Sequence, residues 1–143
     1  MIGQTISHYK ILEKLGEGGM GIVYKAHDTK LDRLVALKFL PQQITVSDED
    51  KARFLQEAKA ISALNHPSIA TIHDVDEANG QKFLVLEYIP GGTLKSRLKH
   101  LKSEDKEFSL AEVLDYGIQA AEALEHAHQH QITMHANSGG ITP

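Results

Sequence analysis

Residues 15–25 read LGEGGMGIVYK, and how this stretch is read decides the fold. Gly16, Gly18 and Gly21 stand in a G-x-G-x-x-G spacing, which alone fits several architectures. A P-loop would end in Gly-Lys-Ser/Thr, but Gly21 is followed by Ile22 and Val23, so that reading is excluded. A dinucleotide fold would have the glycines open a helix onto a pyrophosphate. Ile22, Val23 and Tyr24 are β-branched or aromatic and favour a new strand instead. What remains is strand, glycine loop, strand. Two meanings of that hairpin stay open: a turn with no ligand, or a flap whose backbone N–H groups approach phosphates because no Cβ intervenes.

The flanking sequence extends the pattern. YKILEKL, GIVYKAHD and LVALKFL favour three successive antiparallel strands. SDEDKARFLQEAKAISALNHP then changes to helical spacing, with Phe54, Ala58, Ile61 and Leu64 on one stripe, Ser47 as cap and Pro67 as stop. SIATIHDVDE and QKFLVLEYI flank Asn79-Gly80, a favoured hairpin turn because both residues tolerate positive φ. This predicts five strands around one helix. Beyond Pro90-Gly91-Gly92, a short and a long helix are expected, the second opened by Ser109-x-x-Glu112. Past Gln131 the periodicity disappears.

Within LVALKFL, alternation sets Ala36 and Lys38 on one face and Val35, Leu37 and Phe39 on the other. An ammonium interrupting an apolar strand costs several kcal/mol (~) when buried unless an anion pairs with it. The candidate carboxylate is Glu57, spaced 3, 4 and 3 residues with Phe54, Ile61 and Leu64. A snorkelling Lys38, and a Glu57 paired with Arg53 one turn earlier, are the plainer alternatives.

Composition bounds the function. The chain has 143 residues, 41% hydrophobic and 24% charged, as expected of an ordinary folded domain. A formal charge of −4 argues against a broad nucleic-acid or anionic-membrane surface. The absence of cysteine removes disulfides, thiolate metal sites and cysteine nucleophiles. No signal peptide and no apolar run long enough to span a bilayer is read, so a cytoplasmic location is expected. His126, His128 and His130 do not make a metal site by spacing, since on a helix only 126 and 130 share a face.

Taken together, these motifs resemble the protein kinase family, most closely the eukaryotic-like serine/threonine kinases of bacteria. The likeness runs from about Tyr9 to about Ile132. Gly16, Gly18, Gly21 and Val23 match GxGxxGxV, and Val35, Ala36, Leu37 and Lys38 match the Val-Ala-Ile-Lys strand. LNHPSIATIHDV is similar to the turn after the family's C-helix and its fourth strand, and LVLEYIPGGTL to the fifth strand and hinge. The resemblance implies an α+β fold: a kinase-like N-lobe of five antiparallel strands plus C-helix over residues 9–89, then the hinge and first two C-lobe helices over 90–132. Residues 133–143 form a divergent tail.

By resemblance, the cofactor is ATP, with Mg2+ expected only in the complete enzyme. Lys38 would hold the α- and β-phosphates and Glu57 would be its partner. Leu15, Gly16, Glu17, Gly18, Gly19, Met20 and Gly21 would form the phosphate flap. Leu15, Val23 and Ala36 would wall the base, Leu86 would be the gatekeeper, and the backbone of Glu87 and Ile89 would bond the adenine edge. The implied activity is phosphoryl transfer to protein Ser/Thr hydroxyls, so a protein substrate is the implied partner of the complete enzyme.

The tail departs from the family. Aligned without a gap after Ile132, Met134, His135 and Ala136 fall on the His-Arg-Asp places; one inserted residue gives His135, Ala136 and Asn137 instead. Neither register supplies the Asp that accepts the substrate proton. The sequence reading therefore expects a kinase pattern truncated before its catalytic loop and inactive by itself. Its alternative is a non-catalytic, pseudokinase-like module that binds nucleotide or a partner.

Overall fold

The computed structural model describes residues 1–19, 21–41 and 47–130. The elements in order are β1 (Thr5–Ile6), β2 (Tyr9–Gly18), β3 (Gly21–Asp28), β4 (Arg33–Phe39), α1 (Asp48–Ser62), β5 (Ile72–Ala78), β6 (Gln81–Glu87), α2 (Leu94–Ser103) and α3 (Leu110–Gln129). The strands form one antiparallel sheet in the order β1-β2-β3-β4-β6-β5. The expected five strands and one helix are all present. The sixth strand, β1, has only two residues, too few for alternation to betray it in the sequence.

Two compact units divide the chain. The first holds Met1–Ala63 and Thr71–Tyr88, the second Leu64–Ala70 and Ile89–Pro143. In the first unit, Tyr9, Ile11, Tyr24, Ala26, Val35, Leu37, Phe39, Phe83 and Val85 are buried together as one cluster. Period 2 explains the membership: Val35, Leu37 and Phe39 alternate along β4 and lie opposite Ala26, Tyr24 and Ile22 on one side. On the other side Leu37 and Phe39 face Val85 and Phe83. Aromatic rings fasten the cluster, Phe39 lying 5.0 Å from Phe83 and Tyr9 meeting Phe83 edge-on at 6.1 Å. The Tyr9 hydroxyl is pushed up to about 12 by burial first, then by Asp74, Asp28 and Asp76, against a smaller opposing effect of Arg33.

Local chemistry sets the boundaries. Ser47 Oγ accepts from Asp50 N at 3.1 Å and starts α1, whose first turn carries Asp48, Glu49 and Asp50. Asn79 and Gly80 take φ of 53° and 75°, the left-handed pair that joins β5 to β6. The β3–β4 turn is held by Asp28, whose buried carboxylate accepts from Lys30 N at 2.9 Å and Leu31 N at 3.0 Å. Burial alone would raise the Asp28 carboxyl; those two N–H groups, His8 and Arg33 outweigh it and leave it below its usual value.

In the second unit, Thr93 and Ser96 cap α2 reciprocally, and Ser109 Oγ accepts from Glu112 N at the start of α3. α3 is buried at Ala123 and Ala127 and exposes Leu110, Val113, Leu114 and Ile118. His66 of the Leu64–Ala70 segment lies 5.1 Å from His126 of α3, ring to ring.

Candidate functional site

Residues directly opposite one another in an antiparallel sheet share a face. Lys38 lies between Val23 on β3 and Leu84 on β6, and Ala36 between Lys25 and Leu86. The register thus gathers Val23, Ala36, Lys38 and Leu86, each singled out in the sequence, on the face opposite the core cluster. Leu84 and Lys25 complete it. Unlike the core face, this one is largely half-buried: only Ala36 is enclosed, while Val23, Lys25, Lys38, Leu84 and Leu86 keep partial exposure.

Lys38 is the unusual member. Burial pushes its ammonium below the ordinary lysine value. Among the described residues the ion pairs are His8–Asp28, Lys14–Glu17, His27–Asp32, Arg33–Asp28, His100–Glu104 and Lys106–Glu104; neither Lys38 nor Glu57 takes part. The packed apolar residues of α1 are Phe54, Ala58 and Ile61, with Ala58 buried, and Glu57 stands exposed beside them. At about 100° per residue Glu57 is displaced from Ala58 to the flank of the stripe. The structure therefore does not bring Lys38 and Glu57 into contact. A carboxylate left in water avoids the dehydration that a buried ion pair must offset.

Next to Lys38 is the glycine hairpin. Gly16 pairs with Val23, Glu17 with Ile22 and Gly18 with Gly21, and Leu15 falls at a register shift between Lys14 and Gly16. The glycines are of two kinds. Gly21 has φ +114°, and a Cβ there would stand 2.0 Å from the Phe39 carbonyl oxygen, so the fold itself requires glycine. At Gly16, Gly18 and Gly19 an added Cβ would meet none of the described residues within 4 Å, and their φ values do not lie in the left-handed region. Glu17 is engaged by the Lys14 ammonium. Met20 lies outside the described residues.

At the end of β6, Glu87 N donates to Thr71 O at 2.8 Å, and Glu87 Oε2 accepts from Thr71 N at 3.1 Å. Tyr88 closes the first unit and its ring lies under Lys25 Nζ, 4.9 Å from the ring centroid. Ile89 belongs to the second unit and is exposed. Lys25 escaped the sequence reading. A signal was present, because Lys25 shares parity with Val23 along GIVYKAHD and so stands on the same face. Among the described residues no group of three or more His, Asp or Glu could hold a metal ion, and no helix is long and apolar enough to cross a membrane. The tail readings at 133–143 lie outside the described residues.

With this geometry the chain matches the protein kinase domain family over residues 9–136, and it belongs to that family. It is homologous to the kinase domains of bacterial serine/threonine-protein kinases. It is 39% identical over 133 residues to serine/threonine-protein kinase PrkC of Bacillus subtilis, covering 92% of this chain and 20% of that protein. To serine/threonine-protein kinase PknD of Mycobacterium tuberculosis it is 37% identical over 132 residues, covering 92% and 19%. The crystal structure of the Mycobacterium tuberculosis PknI kinase domain superposes with a TM-score of 0.74 at 29% identity, covering 90% of this chain and 51% of that one. The chain thus spans about a fifth of these full-length relatives and about half of the solved kinase domain. The α+β fold expected from the motifs is the fold these relatives share.

Proposed function

We propose that this chain supplies the ATP-binding part of a protein serine/threonine kinase. The observation that carries the proposal is a half-buried Lys38 ammonium, in none of the ion pairs among the described residues, beside a hairpin in which a Cβ at Gly16, Gly18 or Gly19 would meet none of the described residues. A ligand-free turn would require glycine only where φ or packing demands it, as at Gly21. Room at three further positions, beside a cation with no ion-pair partner among the described residues, fits a polyphosphate.

In this reading Val23, Ala36 and Leu86 wall the adenine, with Leu15 at the mouth, and the backbone of Glu87 and Ile89 bonds its edge. The flap from Gly16 to Gly21 offers backbone N–H groups to the phosphates; Glu17, held by Lys14, contributes through its backbone alone. Lys38 neutralises the α- and β-phosphates, which supply a counter-charge to its half-buried ammonium. Glu57 becomes its second partner only if α1 turns its flank toward β4. Mg2+, held in the complete enzyme, would neutralise the phosphate oxygens further, and the whole protein would transfer the γ-phosphoryl group to Ser or Thr hydroxyls of a protein substrate. Residues 133–143 contain no Asp to accept the hydroxyl proton, so these 143 residues by themselves are expected to bind ATP without transferring phosphate.

The test uses the free space at Gly18. A Gly18→Val variant should unfold at the same denaturant concentration as the parent, because none of the described residues occupies the site of the new side chain. It should nevertheless bind ATP at least about tenfold more weakly, because the Val methyls would stand where phosphate oxygens approach. Undiminished ATP affinity in a folded Gly18→Val chain would remove the flap from the site.

A further inference from the structure

We infer that Lys25 is a positioning residue that sets the preference for adenine over guanine, acting through Tyr88. This rests on the ATP reading above and extends it to base selection. Three observations bear on it. Lys25 shares a sheet face with Ala36 and Leu86, the walls assigned to the base. Its ammonium sits over the Tyr88 ring at 4.9 Å from the centroid, and Lys25 is in none of the ion pairs among the described residues. Glu87, the residue before Tyr88, is fixed on its other side through its N–H to Thr71 O.

The peptide unit between Glu87 and Tyr88 carries the Glu87 carbonyl on one edge and the Tyr88 N–H on the other, so its orientation decides which is offered to a base. A carbonyl accepts from the exocyclic amine of adenine and repels the carbonyl oxygen that guanine has at the same place. A rotated unit offering the Tyr88 N–H would do the reverse. Glu87 N–H anchors the chain before this unit and the Lys25–Tyr88 contact anchors it after. With the ammonium removed, the Tyr88 ring is free to leave and the unit is free to rotate. A cation–π contact of this exposure is worth about 0.5–1 kcal/mol, which corresponds to about a two- to fivefold change in a binding ratio.

The experiment measures ATP and GTP dissociation constants for the 143-residue chain and for Lys25→Met, Lys25→Arg, Tyr88→Leu, Tyr88→Phe and the Lys25→Met/Tyr88→Leu double variant. A double-mutant cycle on denaturation without nucleotide accompanies it. Expected is an ATP preference in the parent that falls about two- to fivefold in Lys25→Met and Tyr88→Leu. It should be kept in Lys25→Arg and Tyr88→Phe, and the double variant should be no worse than either single one. The stability cycle should show coupling between the two positions. An unchanged ATP/GTP ratio in Lys25→Met, additive effects, or a parent that binds GTP as well as ATP would overturn the inference while leaving nucleotide binding intact. A parent that binds neither nucleotide would overturn the ATP reading itself, and this inference with it.

Discussion

The two faces of β4 are built from one seven-residue strand and behave as opposites. Val35, Leu37 and Phe39 are sealed against Tyr24, Ala26, Phe83 and Val85, each exposed by 8% or less. One residue away in sequence, Lys38 stands with Val23, Leu84 and Leu86 on a face that is only half covered, and its desolvated charge takes part in none of the ion pairs among the described residues. The difference separates two tasks. The sealed face supplies the apolar burial that holds the unit together; the other keeps an energetic deficit that a bound anion would relieve.

Mutations should separate the faces most sharply through stability. Phe83→Ala opens a cavity in the sealed face and should cost about 3–5 kcal/mol in urea unfolding, whereas Leu84→Ala, its neighbour on the half-covered face, should cost less than about half of that. Equal losses would erase the distinction. The glycine hairpin repeats the contrast on a smaller scale. Gly21→Ala forces a Cβ onto the Phe39 carbonyl at positive φ and should cost about 2 kcal/mol or more, while Gly16→Ala should stay within about 0.5 kcal/mol of the parent.

Alkaline titration sharpens the comparison because the faces respond with opposite sign. Tyr9, on the sealed face, is raised from 10.0 to about 12, so the folded state holds a proton that the unfolded state has released. Its contribution is complete below pH 10 and is lost as pH climbs toward about 12. Lys38 is lowered from 10.5 in the folded state, so its charged form weakens folding at neutral pH. That penalty lifts as pH rises through the lowered value toward 10.5. Tyr9→Phe should therefore flatten the alkaline loss of stability. Lys38→Met should remove the opposing gain and make the loss steeper, and it should be at least as stable as the parent at pH 7. A Lys38→Met chain less stable than the parent at neutral pH would mean that Lys38 already has a partner.

Much of this was legible because it follows from period and turn chemistry. Alternation in LVALKFL separated Lys38 from Val35, Leu37 and Phe39, Asn79-Gly80 marked the β5–β6 hairpin, and Ser47 and Ser109 marked helix starts. What escaped depends on contacts between distant residues. The sequence spacing placed Glu57 with the inward stripe of α1, but the helix is seated on Phe54, Ala58 and Ile61, and Glu57, at the edge of that stripe and about 100° around the helix from Ala58, is exposed. Spacing fixes which residues share a helix face to within a residue or so; packing decides which edge of that face is buried. Lys25 over Tyr88 links residues 63 positions apart, and the division of glycines into one required and three unconstrained depends on where Phe39 lies. Neither is encoded in local pattern.

Calorimetric titration of ATP into the 143-residue chain and its Lys38→Ala variant decides whether the half-covered face binds ATP through Lys38. The parent should show weak, saturable, single-site binding. Affinity should fall about tenfold or more in the variant, since a charge-assisted contact to phosphate is worth about 1.5–3 kcal/mol, while the variant's urea midpoint is no lower than the parent's. Equal ATP affinities in two equally folded chains would contradict it.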